Sequence, residues 1–153
     1  MARSRKATAA DAELCMKLYE LRREDEMRKA RNFINFQFQP QGIDDVVKLM
    51  QAFGTKENAW ARQVFSFWEN AASLLLNDVV HAGLFFTWNS EMVFVYAKYK
   101  PFLKELRQQM EYPAFLAGVE KAVSSSPEAR KRVDVVQKRL AKMAGNAQTA
   151  KSK

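Results

Sequence analysis

The chain of 153 residues contains one histidine, His81, and one cysteine, Cys15. A Ser–His or Cys–His pair, or a histidine-rich metal site, would therefore depend on these two residues alone. Asp78 lies three residues before His81 and could orient its ring, but a histidine at a turn or helix end is typically structural. Cys15 lies at helical spacing from leucines, which predicts a small, semi-buried hydrophobic residue rather than a reactive thiol.

The residues that other common active sites require are also absent from the sequence. A diiron bundle site uses Glu-x-x-His pairs on two inward faces, and one histidine cannot supply them. There is no glycine-rich phosphate loop and no nucleotide-binding fingerprint. The sequence therefore supports no enzyme class, and we expect no catalytic residue, no metal ion and no cofactor.

Basic residues are the remaining candidates for chemistry. The net charge of +8 is concentrated at the two ends, with three basic and no acidic residues in 1–8 and eight basic against two acidic residues in 126–153. A basic surface of this kind could contact the phosphates of nucleic acid or an anionic lipid surface, or it could be an ordinary solvated face. The candidate contact residues lie in the C-terminal helix: Arg130, Lys131, Arg132, Lys138, Arg139 and Lys142.

The same helix also carries an apolar stripe. Ser126-Pro127-Glu128 is a strong helix start, with a capping serine, proline at the first position and an acid in the first turn. The stripe covers about two heptads, which is short for an autonomous coiled coil, so the helix could dock on its own domain or on a second copy. The candidate self-association residues are Val133, Val136, Leu140 and Met143.

The element that must organise these residues is a central helix over about 56–77. Its polar residues Arg62, Ser66, Glu69 and Ser73 recur in steps of four, three and four, which predicts one narrow solvent-facing line on an otherwise covered helix. Asn70 interrupts the apolar surface and is expected to join a buried hydrogen-bond network.

Helical signals divide the rest of the chain. A first helix should begin near Thr8 or Asp11 and continue or kink through the charged block 22–26, and a helix is expected over about 43–52. Residues 91–97 read as strand or helix, and we favour helix because no partner strand is evident. Pro101 should kink or break that helix near Tyr99. We predict an all-α single-domain bundle of five to seven helices over 9–145, with a flexible basic lead over 1–8 and a disordered tail over 146–153.

Aromatic residues are frequent near the centre of the chain. Core packing is the expected role for them, and a small apolar ligand in an aromatic-lined interior is the alternative. The set comprises Trp60, Phe65, Phe67, Trp68, Phe85, Phe86, Trp88 and Phe94. No signal peptide and no membrane-spanning segment is evident, and the single cysteine is compatible with a reducing compartment, so a cytoplasmic location is expected.

A diffuse set of residues over roughly 18–120 resembles a bacterial family of helical domains of unknown function. The resemblance is carried by Leu21-Arg22-Arg23, Ala30-Arg31, Val64-Phe65, Phe67-Trp68-Glu69, Leu84, Trp88, Tyr96, Pro101, Arg107 and Phe115. It implies a helical module without a stated activity. Domains of this kind are often attached to a membrane-anchoring helix, which this sequence does not show.

Three functions follow as hypotheses. The first is a non-enzymatic interaction or scaffold protein that binds an unknown protein partner or forms a homo-oligomer. The second is binding of nucleic acid or an anionic surface through the basic ends and the C-terminal helix. The third and weakest is binding of a small apolar ligand.

Overall fold

A computed structural model describes residues 5–151, and all regular structure in that range is helical. The all-α prediction is confirmed. Residues 5–151 contain eight α-helices where five to seven were expected, partly because the first predicted helix is divided in two. The elements are α1 (Ala9–Arg23), α2 (Asp25–Asn32), a π-helical segment (Phe33–Gln37), α3 (Ile43–Gln51), α4 (Lys56–Leu76), α5 (Ala82–Trp88), α6 (Ser90–Gln109), α7 (Ala117–Ser125) and α8 (Pro127–Lys151).

Helix α4 is the centre of the bundle, as predicted. It packs against α2, α3, α7 and the π-helical segment, and Trp68 at its middle is fully buried. The solvent-facing line of α4 differs from the predicted one, because it passes through Asn70 rather than Glu69. Asn70 is therefore exposed and does not join a buried network, whereas the Glu69 carboxylate accepts hydrogen bonds from the first turn of α7.

The buried amide on α4 belongs to Asn58 instead. Its side chain donates to the carbonyls of Leu49 and Met50 at the end of α3. Its Oδ1 accepts a hydrogen bond from Arg62. Asn58 thus joins the end of α3 to the start of α4, which satisfies carbonyl groups that a helix C-terminus leaves without partners.

The first helix begins as expected and then divides. Thr8 and Asp11 form a capping box at its N-terminus. Glu24 adopts extended backbone geometry, ends α1 and caps α2 by accepting from the amides of Glu26 and Met27. The charged block is therefore a helix start, because a glutamate with free amides two and three residues ahead can act as an N-cap. Two ion pairs form in this block, Asp25–Arg28 and Glu26–Lys29, and each joins residues three apart.

The basic lead is partly tied to the bundle. Arg5 is paired with Asp11 at 2.5 Å, so the lead is not free at that position, while residues 1–4 lie outside the described part of the chain. The buried Asp11 carboxylate also accepts from Thr8 and from the backbone amide of His81. These hydrogen bonds, that of Arg5 first, hold the pKa of Asp11 well below its usual range. The result is a firm contact between the start of α1 and the start of α5.

The π-helical segment Phe33–Gln37 directly follows α2. A helix that ends there leaves carbonyl groups unpaired, and Pro40 offers no N–H to them. Lys98 of α6 supplies the donors: its Nζ lies 2.7, 3.2 and 2.6 Å from the carbonyls of Ile34, Asn35 and Phe38. Burial of this ammonium lowers the pKa of Lys98 to about 8.

Helix α6 confirms helix rather than strand for residues 91–97, but the break expected at Pro101 is wrong. The helix is continuous from Ser90 to Gln109. Pro101 cannot donate to the carbonyl of Ala97, four residues earlier. That carbonyl accepts instead from the side chain of Gln137 on α8, at 3.3 Å. A tertiary hydrogen bond thus replaces the one that proline removes.

Helix α8 extends further than expected. Gly145 does not end it, and the helix continues to Lys151 with every residue from 141 to 151 exposed. Residues 146–151, for which the sequence predicted disorder, are helical in the structure, and a helix can continue through an isolated glycine at a cost of about 1 kcal/mol. Residues 152–153 lie outside the described range. No helix among residues 5–151 combines the length and apolar character that crossing a bilayer requires.

The aromatic set is divided between core and periphery. Phe65, Trp68 and Phe85 are buried in the core, while Trp88 is exposed. The other four are partly buried. Phe65 and Phe94 line two different surface clefts, so the aromatic residues do not enclose one interior site.

Candidate anion-binding cleft

A surface cleft of about 830 Å³ lies between α2, the π-helical segment, the start of α6 and α8. We call it the basic cleft. Its cationic side chains come from two elements about 100 residues apart in sequence: Arg28 and Arg31 from α2, and Lys131, Arg132 and Arg139 from α8. Glu91 is the one acidic side chain among the described residues that line it.

The charge of Glu91 is already matched by two arginines. Arg31 binds its carboxylate through Nε and Nη2, and the Arg22 guanidinium lies 3.7 Å away. Hydrogen bonding to Glu91 raises the pKa of Arg31, whereas burial lowers the pKa of Arg22. Because both guanidinium groups stay protonated near neutral pH, this partly buried cluster keeps one net positive charge at the cleft wall.

Hydrogen bonds from the two arginine side chains to backbone carbonyls also hold this cluster in place. Arg22 donates to the carbonyl of Trp88 at 3.2 Å, and Arg31 donates to the carbonyl of Arg22 at 2.9 Å. The end of α1, the end of α2, the end of α5 and the start of α6 are therefore joined at one point. These partners hold the Arg31 side chain in place at the wall of the cleft.

The six basic residues predicted on α8 divide into three that line the cleft and three that do not. Lys131, Arg132 and Arg139 lie on the cleft side of the helix, and none of them forms an ion pair with another described residue. The other three predicted contact residues, Arg130, Lys138 and Lys142, are exposed but do not line the cleft. Arg130 donates to the carbonyl of Ser124. Only half of the predicted basic set therefore contributes to the cleft.

The predicted self-association stripe is mostly used within the chain. Val133 is buried, and Val136 and Leu140 are partly buried. Met143 is 67% exposed. The first part of the stripe packs on α6 and α7, so Met143 is the one exposed member of the predicted stripe.

Two further residues of the cleft are unusual for their surroundings. Phe36 in the π-helical segment is 67% exposed, and its ring centroid lies 6.2 Å from that of the partly buried Phe94. Asn35 beside it is only 5% exposed, yet its Oδ1 has no hydrogen-bond partner among the described residues. Sequence reasoning did not identify Arg28, Arg31, Phe36 or Asn35 as site residues, because only the fold places them opposite α8.

The single histidine and the single cysteine both have structural roles. His81 caps α5, with its Nδ1 accepting from the amide of Leu84. Cys15 is fully buried, and burial raises the pKa of its thiol. Among residues 5–151 no three His, Cys, Asp or Glu side chains are grouped as a metal site would need.

A second cleft of about 710 Å³ lies on another face, between the end of α3, the exposed line of α4 and the turn before α7. Its rim includes the exposed rings of Phe53 and Tyr112. Its charged lining residues are Arg62 and Glu69, one of each sign. It therefore lacks the charge excess of the basic cleft.

Comparison with known proteins gives one result. The family model described as "domain of unknown function (DUF4760)" matches residues 7–126. No curated protein and no solved structure shows a significant match. The matched segment covers α1 to α7 and ends just before α8, so α2 and the π-helical segment lie inside it and the basic helix lies outside it.

Proposed function

We propose that this chain, which belongs over residues 7–126 to the DUF4760 family of domains of unknown function, is a non-enzymatic binding module for a phosphate-bearing polyanion. The partner lies in the basic cleft, between the family domain and α8. One observation carries the proposal. Five cationic side chains from α2 and α8 face one cleft, against one carboxylate among its described lining residues, Glu91, which is paired with one of the five, Arg31.

The charges of the cleft are suited to a solvated polyanion. Lys131, Arg132 and Arg139 are exposed and form no ion pair with another described residue, so no existing ion pair has to break before a phosphate binds them. Arg28 shares its charge with Asp25 in an exposed pair, which is a weak interaction that a phosphate can replace. Each cation that neutralises a phosphate releases a condensed counterion, and the gain in entropy favours binding at low salt.

The same charges favour an oppositely charged partner over a second copy. Two α8 helices placed side by side would bring like-charged lysine and arginine side chains together, which is unfavourable. Self-association is still the second candidate, because residues 141–151 are exposed and include the apolar Met143. The cytoplasmic location predicted from the sequence is kept as part of this proposal.

The test uses two variants of α8 with equal charge. The cleft variant replaces Lys131, Arg132 and Arg139 by glutamine, and the control replaces Arg130, Lys138 and Lys142 by glutamine. Each lowers the net charge by three from +8. The six residues are exposed, so both variants should fold, which circular dichroism checks.

Binding is measured by fluorescence anisotropy with end-labelled inorganic polyphosphate, a chain of phosphates without bases. We expect the cleft variant to bind about 10-fold or more weakly at about 50 mM salt and to lower the salt slope by about 2, as loss of three contacts predicts. The control should change affinity by less than about 3-fold. Equal losses in both variants would show that net charge rather than the cleft governs binding, and no binding by the wild type would refute the proposal. Mass in solution, measured in parallel, identifies any dimer.

A further inference from the structure

We propose that the polyanion is single-stranded nucleic acid and that Phe36 is the platform on which one of its bases stacks. This inference rests on the proposed function, since it takes the basic cleft as the binding site. The basic side chains explain attraction to any phosphate chain. The aromatic side chain among them is the feature that a partner without bases would leave unused.

Phe36 is exposed at a fixed position. Its backbone belongs to the π-helical segment, whose carbonyls are held by the Lys98 ammonium on one side and by the Gln39 side chain on the other. Phe94 lies beside the ring and limits its movement. An apolar ring held open to solvent can stack on a base without first being ordered, which lowers the entropic cost of binding.

The cations surround this ring. Arg28 and Arg31 come from the helix that leads into the π-helical segment, and the α8 cations line the opposite wall. Single-strand binding sites combine a positively charged groove for the backbone with aromatic side chains for the bases. The basic cleft has both components within one surface.

Asn35 adds a buried acceptor at the same place. Its Oδ1 has no partner among the described residues, and the residue lines the cleft. A buried carbonyl oxygen without a hydrogen bond costs free energy until a donor reaches it. Because this oxygen is itself buried, a base reaches it only if the Asn35 side chain turns toward the cleft. Amino and imino groups on the edge of an unpaired base would then donate to it, whereas polyphosphate and phospholipid phosphates are acceptors.

A duplex does not fit this combination. In a double helix the base faces are covered by neighbouring pairs, so Phe36 would gain no stacked base. The inference therefore predicts preference for single strands over duplexes of the same sequence and over phosphate chains without bases.

The test compares Phe36→Ala with Phe53→Ala. Phe53 is 74% exposed and lies at the second cleft, so it controls for loss of an exposed ring. The probes are a labelled single-stranded DNA of about 12 nucleotides, the matching duplex, inorganic polyphosphate and vesicles containing anionic phospholipid. We expect Phe36→Ala to weaken single-strand binding by about 5- to 100-fold, as loss of one stacked base predicts, and Phe36→Trp to retain it.

The other probes separate the two proposals. Polyphosphate affinity should change by less than about 2-fold in Phe36→Ala, because phosphates do not stack. If polyphosphate binds in the cleft but the wild type binds single strands no better than duplexes, the single-strand inference is refuted and the proposed function stands. The same holds if polyphosphate and the vesicles bind but single strands do not. Equal loss with both DNA and polyphosphate in Phe36→Ala also refutes it, since the ring would then act only on the fold. Absence of binding to every probe refutes both proposals.

Discussion

Gly118 gives the sharpest test of how the helices are joined. Gly118 is the second residue of α7. The residue at the N-cap position of that helix, Leu116, has left-handed backbone geometry and its side chain provides no capping hydrogen bond. The cap comes from α4: the Glu69 carboxylate accepts from the amides of Gly118 and Val119 at 2.7 and 3.2 Å. A Cβ at position 118 would lie 3.0 Å from Glu69 Cδ and closer still to Oε1.

Replacing a helical glycine by alanine normally stabilises a protein by up to about 1 kcal/mol. At position 118 the new methyl group would displace the carboxylate. Loss of an N-cap costs about 0.5–2 kcal/mol, and loss of a negative charge at the helix N-terminus costs up to about 1 kcal/mol more. The losses exceed the gain, so Gly118→Ala should lower the free energy of unfolding by about 1 kcal/mol, and Glu69→Ala should lower it by about 2 kcal/mol.

The two changes should not be additive. Once Glu69→Ala has removed the carboxylate, Gly118→Ala has nothing to displace and should stabilise the protein by about 0.5–1 kcal/mol. Urea unfolding of the wild type, both single variants and the double variant measures this reversal of sign. Gly145→Ala is the matched control, because a Cβ there meets no atom within 4 Å. Stabilisation by Gly118→Ala in the wild-type background would refute the cap.

Two further predictions concern buried charge. Lys98→Met should lower the free energy of unfolding by about 2 kcal/mol in urea titrations, because the carbonyls of the π-helical segment lose their donor; a change below about 0.5 kcal/mol would contradict this role. Asp11→Asn should lower the melting temperature at neutral pH, because the paired carboxylate has a depressed pKa in the folded state. That contribution is complete above the ordinary pKa of 3.8 and is lost as the pH falls below it, so the melting temperatures of the two proteins should converge in acid. A gap that stays constant down to acid pH would contradict it.

Local patterns in the sequence predicted much of the fold. The nearly all-round apolar surface of 56–77 identified α4 as the central helix, and Thr8 and Ser126 marked two helix starts where the structure has them. These features depend on neighbours within one or two turns, so sequence spacing is enough to find them.

The departures have a common cause. Pro101 is tolerated because Gln137 lies opposite it, and Glu69 leaves the solvent line because the N-terminus of α7 lies within its reach. In both cases a donor or acceptor far away in sequence changes the local preference. Local propensities are of the order of 1 kcal/mol per residue, and one tertiary hydrogen bond is comparable.

The sequence by itself determined the helical class, the central helix and the basic character of the C-terminal segment. The tertiary structure alone decided which basic residues share a cleft, because the α2 and α8 residues that line it are about 100 positions apart and no spacing rule relates them. It also decided that Phe36 is exposed, since the Lys98 ammonium fixes the backbone on which that ring stands. Charge and hydrophobicity belong to residues, but a binding site is defined by which residues the packing of the helices brings together.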